Sequence, residues 1–344
     1  MRTGKNLMKS FVVFLPALLF FHTADAGSWR VNSDVSKKPH FIDLNAAMNS
    51  SDVISGDTIY LDPGCNLTST QDITKQVTII GTGYLISNNV IEEAVVSGPI
   101  YLKASGIKIE GLKISGTTYM ASNDITIERS HLKNVRNSGT AQNVTIRQCY
   151  IPNGDIRGEG NNSKTTANWR IENSIIIFND GYDPIKYLYS PTVCNNYIRP
   201  NYTSASASIA YVDGANIYNN IFINTRFIEN ANLYEVTNSK VQNNIFHIES
   251  YKTDYPDNTI IDINTEEAVF AIDGINELRY RLKENSPAKG AATDGGDCGP
   301  YGGTYPYVPS GYPLGIPRFE SSSVSSRPQD GLLRVSQKVV IQAE

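Results

Sequence analysis

Long apolar runs, helical periodicity, excess basic charge and paired cysteines are all scarce in this chain, and each scarcity closes off a class of protein. After residue 21 no stretch approaches the roughly 20 apolar residues of a spanning helix. The one apolar run, Phe11 to Phe21, follows Arg2, Lys5 and Lys9 and precedes Ala24-Asp-Ala26. That order is the pattern of a secretory signal with a small-x-small cleavage site. Residues 1–26 are therefore read as a removed signal peptide, and the mature chain as extracytoplasmic: periplasmic, at the cell surface or extracellular. No cysteine follows the site for lipid attachment. Cleavage leaves 27 basic against 33 acidic residues, a net charge of −6, which argues against nucleic acid as a partner.

What the chain does have is a repeat. Between Gly106 and Phe246 a short phrase of apolar residue, polar triplet and apolar residue returns seven times, opening at Ile109, Ile127, Ile146, Ile171, Val193, Ile217 and Val241. The spacings are 18, 19, 25, 22, 24 and 24 residues, the range of a solenoid. The residues around each phrase alternate as strands do (Ile107-Lys-Ile109, Ile125-Thr-Ile127, Val144-Thr-Ile146) and β-branched residues dominate, so a helix per repeat is excluded. Leucine-rich repeats would show fixed leucines. The remaining solution is a coil of three short parallel strands per turn, stacked at about 4.8 Å.

The asparagines agree. Asn173, Asn195, Asn219 and Asn243 share one register, and Asn196, Asn220 and Asn244 the next. Asparagine tolerates the left-handed conformation of a tight turn, and stacked amides can bond along a ladder. A structural turn is the reading for these residues. In such a coil Cys149 and Cys194 lie two turns apart, roughly 10 Å along the axis and beyond disulfide reach. Cys65 and Cys298 sit near opposite ends of the chain, so four thiols and no bridge are expected.

These features resemble secreted bacterial right-handed parallel β-helix proteins of the pectin-lyase-like group. The resemblance is carried by Gly56 to Gly64, Val77 to Tyr84, the seven phrases, Ser286 to Gly290 and Asp294 to Gly303. It implies an all-β solenoid over residues 27–317. It leaves function open, because the fold carries lyases, hydrolases and binding proteins alike. The paired aspartates and Gly-His-Gly of the polygalacturonase-type hydrolases are missing; His40, His131 and His247 each stand without a partner pattern.

At the amino end, Phe41, Leu44 and Met48 are spaced for a short amphipathic helix that would cap the coil, and Gly56 to Leu61 reads as the start of the first turn. At the other end, Leu278 to Leu282 restores alternation, and Ser286 to Pro317 reads as an irregular wrap rich in Gly, Pro and Tyr. Residues 318–344 read as a linker, Ser321 to Arg327, and a last strand, Leu332 to Ile341. A capped solenoid needs no second copy, so a monomer is expected.

Aligning the strand that follows each asparagine turn places Val135, Ile156, Ile185, Ile209 and Ile228 inward, and Arg136, Arg157, Lys186, Ala210 and Glu229 outward in a column. Three adjacent cations cost stability unless neutralised. Carboxylates near in sequence, Asp155, Glu159, Asp180 and Asp183, make a balanced solvated face one reading. The other is a groove for an anionic polysaccharide, with arginine clamping sugar carboxylates or sulfates. Tyr182 would add a stacking surface; Tyr187 and Tyr211 fall in the inward register and are expected to fill core.

In catalytic form such a groove would perform β-elimination on a uronic acid glycoside, with Lys186 as base and Arg157 stabilising the enolate-like charge. The segment Asn179 to Lys186 resembles the Asn-Gly-x-Glu region of chondroitinase-B-like and alginate lyases, with Asp180 inserted and Asp183 in the acidic place. Calcium is the one cofactor considered, with Asp155, Asp180 and Asp183 as oxygen ligands. The alternative function is a non-catalytic surface or adhesion module.

Overall fold

The computed structural model describes residues 26–84, 92–160, 166–178, 183–200, 207–223, 232–246, 255–261, 265–274, 276–312, 317–324 and 335–341. Residues 1–25, nearly the whole of the expected signal peptide, lie outside them, as do Asp180, Tyr182, Ile228, Glu229 and His247.

The chain winds into a right-handed parallel β-helix with three faces. The first face is a ten-stranded parallel sheet running from Ser28–Val31 to Lys240–Gln242. All seven phrase openers stack in one column on it, Ile109 on Ile127, then Ile146, Ile171, Val193, Ile217 and Val241. They point inward and are buried. The second and third faces belong to one 16-stranded sheet, because the strands Lys113–Met120 and His131–Asn137 run across both. Later turns break this long strand in two, Tyr150–Ile151 and Ile156–Arg157 for example.

The coil begins one strand earlier than the sequence suggests. Ser28–Val31 pairs with Thr58–Leu61, so this short early stretch is already a rung. A helix, Leu44–Asn49, covers the open end and buries Leu44, Ala47 and Met48. Asp43 caps it by accepting from the Ala46 amide at 2.7 Å, and the amides of Leu44 and Asn45 donate to Gln71 Oε1 at 3.0 and 3.3 Å. Unpaired helix-start donors are thereby satisfied by a rung of the coil.

The corner between the first and second faces is invariant. Seven successive turns place Gly111, Arg129, Gln148, Asn173, Asn195, Asn219 and Asn243 at φ between 46° and 62°. The next position holds the buried ladder. Asn196 Nδ2 donates to Asn220 Oδ1 at 3.0 Å, Asn220 Nδ2 to Asn244 Oδ1 at 3.0 Å, and Asn244 Nδ2 to Asn258 Oδ1 at 2.9 Å. The same Oδ1 atoms accept the backbone amides of Ser174, Asn196, Asn220 and Asn244, all at 2.8–2.9 Å. At these four corners the backbone amide at the ladder position thus has an acceptor, as a bend inside a dry solenoid requires.

The left-handed residues carry a second load, invisible in the repeat. Their side chains hold the carboxyl-terminal wrap. Gln148 Nε2 donates to the Pro306 carbonyl at 2.6 Å, Asn173 Nδ2 to those of Pro300 and Gly302 at 3.0 and 2.6 Å, and Asn243 Nδ2 to that of Ala291 at 3.1 Å. Asn219 Oδ1 accepts from the Thr293 amide at 2.9 Å. Under the wrap a second apolar cluster unites Tyr84, Ile221, Ile245, Ala288, Cys298 and Tyr307, with the Tyr84 and Tyr307 hydroxyls 2.6 Å apart. Asp294 and Asp297 close turns on the amides of Gly296 and Gly290.

Two expectations at this end are corrected. Leu278 to Leu282 is no strand: Asn276–Tyr280 forms a 3-10 helix, whose Tyr280 packs on Tyr197 and Phe270. Nor is 318–344 a linker plus one strand, since Pro317–Val324 and Val335–Ile341 pair as an antiparallel hairpin. A run of serines pairs as readily as apolar residues when a partner strand supplies the backbone bonds. All four cysteines are buried with free thiols, two turns separating Cys149 from Cys194.

Asn220→Ala removes the shared acceptor of the Asn196 amide and side chain inside the core. The expected loss is about 3 kcal/mol or more, since each orphaned buried group costs about 1–3 kcal/mol. Urea unfolding checks it; a loss below about 1 kcal/mol would show that the ladder contributes little.

Candidate functional site

On the third face the outward residues form the expected column and then extend it. Arg136 pairs with Arg157, Arg157 with Lys186 and Lys186 with Ala210, while the neighbouring inward residues Val135, Ile156, Ile185 and Ile209 are fully buried. Beyond Ala210 the register differs from the sequence reading. Leu233 takes the inward place assigned to Ile228, and Tyr234 the outward place assigned to Glu229. Leu233 follows Asn219 by 14 residues, as Ile209 follows Asn195, whereas Ile228 follows it by only 9, so the strand lies five residues later than the sequence alignment placed it.

In the other direction the column continues through Tyr119 and Tyr101 to Asp72. The two tyrosine rings stack at 4.4 Å and 9°. The sequence reading missed them because the alignment was anchored on asparagine turns, and the early turns have none. Their signal was the 18-residue echo of Ile100-Tyr-Leu in Thr118-Tyr-Met.

Tyr187 and Tyr211 are not core residues. Both adopt a left-handed backbone, φ 61° and 55°, as does Glu235 one rung on at 48°. The twist breaks the strict alternation between Lys186 and Leu188 and turns the tyrosine outward, so that Leu188 and Val212 enter the core instead. The result is a second aromatic group. Tyr187 lies 5.1 Å from Tyr211, and Tyr211 5.4 Å from Tyr234 edge-on.

The cations between the aromatic groups differ in their surroundings. Arg136 meets Asp155 at 3.4 Å, and Lys186 meets Asp183 at 3.7 Å. Arg157 pairs with no carboxylate among the described residues; its guanidinium lies 5.3 Å over the Tyr187 ring. Lys186 is only 4% exposed. Burial pulls its pKa below the ordinary lysine value; Asp183 and Asp155 oppose this, and Arg157 reinforces it.

Two glycines set this spacing. A β-carbon at Gly154 would lie 1.2 Å from the Lys133 carbonyl oxygen, and one at Gly158 1.8 Å from that of Tyr187. Glycine at both ends of Ile156–Arg157 therefore lets the rung lie close between its neighbours. Beside it an open cleft of about 310 Å³ is lined by Lys133, Asn134, Arg136, Asn153, Asp155, Arg157 and Phe178.

Of the three carboxylates considered for calcium, Asp155 faces Arg136 and Asp183 faces Lys186 while accepting from the Ala207 amide at 2.8 Å. Asp180 lies outside the described residues. Among the described residues no group of three His, Cys, Asp or Glu gathers. Tyr182 and Glu229 lie outside them too.

Neither a protein-family model nor a curated protein matches the sequence. Among solved structures the chain is similar to a pectate lyase from Bacillus sp. N165 in complex with trigalacturonate, at 12% identity and a TM-score of 0.44 over 76% of this chain and 90% of that one. No helix of the described residues is long and apolar enough to cross a membrane.

His131 sits on the second face, away from the cation column, between Tyr84 and Tyr150. Burial, then Lys113, lowers its pKa to about 4. The fold therefore holds it neutral while the unfolded chain protonates near 6.5. Its contribution is fully present above pH 6.5 and is lost as pH falls toward 4, by roughly 3 kcal/mol at most. His131→Phe should remove much of that acid limb from urea midpoints taken between pH 7 and 4.5; an unchanged limb would assign it to other groups.

Proposed function

We propose that the third face binds a linear anionic polysaccharide of the uronate or sulfated class, lying along the coil axis. The observation that supports it is the column itself. Stacking surfaces at Tyr101 and Tyr119 and at Tyr187, Tyr211 and Tyr234 bracket Arg136 and Arg157 on consecutive rungs. Tyrosine faces suit pyranose rings, and a guanidinium free of carboxylate partners suits a carboxylate or sulfate. Strands repeat at about 4.8 Å, comparable to the length of one sugar, so polymer and column run nearly in step. The left-handed backbone at two bulky tyrosines adds weight: such conformations cost of order 1 kcal/mol or more each, persist where the surrounding structure over-determines them, and cluster at binding sites. The signal segment 1–26 belongs to the same reading, which places the protein outside the cytoplasm.

One observation favours a lyase form. A buried lysine with a lowered pKa beside an arginine is the pairing that β-elimination needs: a base for the proton α to the carboxylate and a cation for the charge that develops. Lys186 and Arg157 hold those roles in this reading. The substrate would displace Asp183 from the lysine to reach it.

The test is incubation of the mature protein, with and without calcium, with pectate, alginate, chondroitin and dermatan sulfates and heparin, following both binding and the ultraviolet absorbance of unsaturated products. Binding should weaken about tenfold in Arg157→Ala, the size of one charged hydrogen bond, and any product signal should vanish in Lys186→Ala. Binding without product identifies a recognition module. Absence of binding to all five polymers rejects the proposal.

A further inference from the structure

One outward column of the first face holds three cations, and the last of them, Lys240, meets no carboxylate among the described residues. The outward residues at one position of each rung run Lys108, Thr126, Thr145, Arg170, Thr192, Asn216 and Lys240. Two residues further along each strand a parallel column runs Glu110, Glu128, Arg147, Glu172, Cys194, Tyr218 and Gln242. The two columns neutralise each other early in the coil. Lys108 meets Glu110 and Glu128 at 3.4 and 3.3 Å, and Arg170 meets Glu172 at 2.6 Å. By the rung of Lys240 the second column has lost its acids, and among the described residues Lys240 makes no ion pair.

That end of the face is also where a cleft opens. Arg170, Thr192, Asn216, Tyr218, Lys240, Gln242 and Thr293 enclose about 400 Å³, within the range of small-ligand sites. Six of them come from the sheet. Thr293 comes from the wrap, held there by the Asn219 bonds. Further back the wrap covers the face instead, with the Tyr305 ring 4.0 Å over Arg147. Among the described residues no carboxylate lines the cleft. Its walls offer two cations, two amides, two threonine hydroxyls and a phenol, on rungs that fix their spacing.

We propose that this cleft is a second binding site, distinct from the third-face column, for one unit of a hydroxyl-rich anion: a uronic acid or sulfated sugar whose acid group sits on Lys240. The amides of Asn216 and Gln242 and the hydroxyl of Thr192 bond the ring hydroxyls, and Tyr218 supplies one wall. It does not depend on the polymer proposal, because different residues on a different face carry it.

Isothermal titration of the mature protein with galacturonate, glucuronate and N-acetylgalactosamine-6-sulfate mono- and disaccharides tests it, with Lys240→Ala, Asn216→Ala and Arg157→Ala in parallel. Lys240 and Asn216 are exposed, so neither change should disturb folding, and far-ultraviolet circular dichroism confirms that. Affinity for at least one anionic sugar should fall about tenfold in Lys240→Ala and fall measurably in Asn216→Ala; any component of binding lost in Arg157→Ala belongs to the third-face column and not to the cleft. Binding lost only in Arg157→Ala leaves the polymer column standing and overturns the second site. Binding unaltered in all three variants, or no binding of any sugar, overturns it as well.

Discussion

Everything outward on this molecule is placed by the amide bonds at one corner of the coil. A solenoid core has no water to satisfy a bending backbone, and here the bend is made seven times by a left-handed residue, followed in five of the turns by a buried serine or asparagine, Ser130, Ser174, Asn196, Asn220 and Asn244, whose side chain accepts a backbone amide of the preceding rung. Because Asn196, Asn220 and Asn244 share acceptors both with backbone and with one another, no rung can slip without orphaning several groups at once. The columns on the three faces inherit their register from that constraint. Three cations and two tyrosines become neighbours on the third face even though 17 to 29 residues separate successive members in the chain.

The same corner ties the end of the chain to its middle. The wrap of residues 286–312 has almost no regular structure, yet it is ordered by side-chain amides that the coil presents on four of its rungs, Gln148, Asn173 and Asn243 as donors and Asn219 as acceptor. Its tyrosines then seal the second face. An irregular segment thereby receives a template from a regular one, and its glycines allow the close approach: a β-carbon at Gly303 would lie 3.0 Å from the Asn195 amide carbon.

How much could be read beforehand follows from which interactions are local. The first face was legible almost completely, since its strands repeat one phrase and the inward isoleucines declare themselves. The cation column from Arg136 to Lys186 was legible too. Tyr234 was not read, although its signal was present: the 24 residues from Ala210 to Tyr234 equal those from Ile217 to Val241 on the first face. Tyr187 and Tyr211 were misassigned for a different reason: alternation presumes a regular strand, and a left-handed residue in mid-strand reverses it. The wrap's attachment to the asparagines joins residues more than 100 apart in several cases, a pairing no local pattern reveals. The paired partners of Arg136 and Lys186 were named among nearby carboxylates, but only coordinates assign Asp155 to one and Asp183 to the other.

One regularity separates the corners of the coil from each other. From each first-face opener to its inward partner on the second face the distance is always five residues, Ile109 to Ile114, Ile171 to Ile176, Val241 to Phe246. All of the variation in repeat length, from 18 to 25 residues, falls at the two corners that border the third face. The scaffold and the rim of the column are therefore separate variables. Insertions and deletions can remodel what stands beside the tyrosines and arginines, turn by turn, while the rungs that carry them keep their order; a lineage built on this coil can change the ligands it accepts without having to solve its folding again.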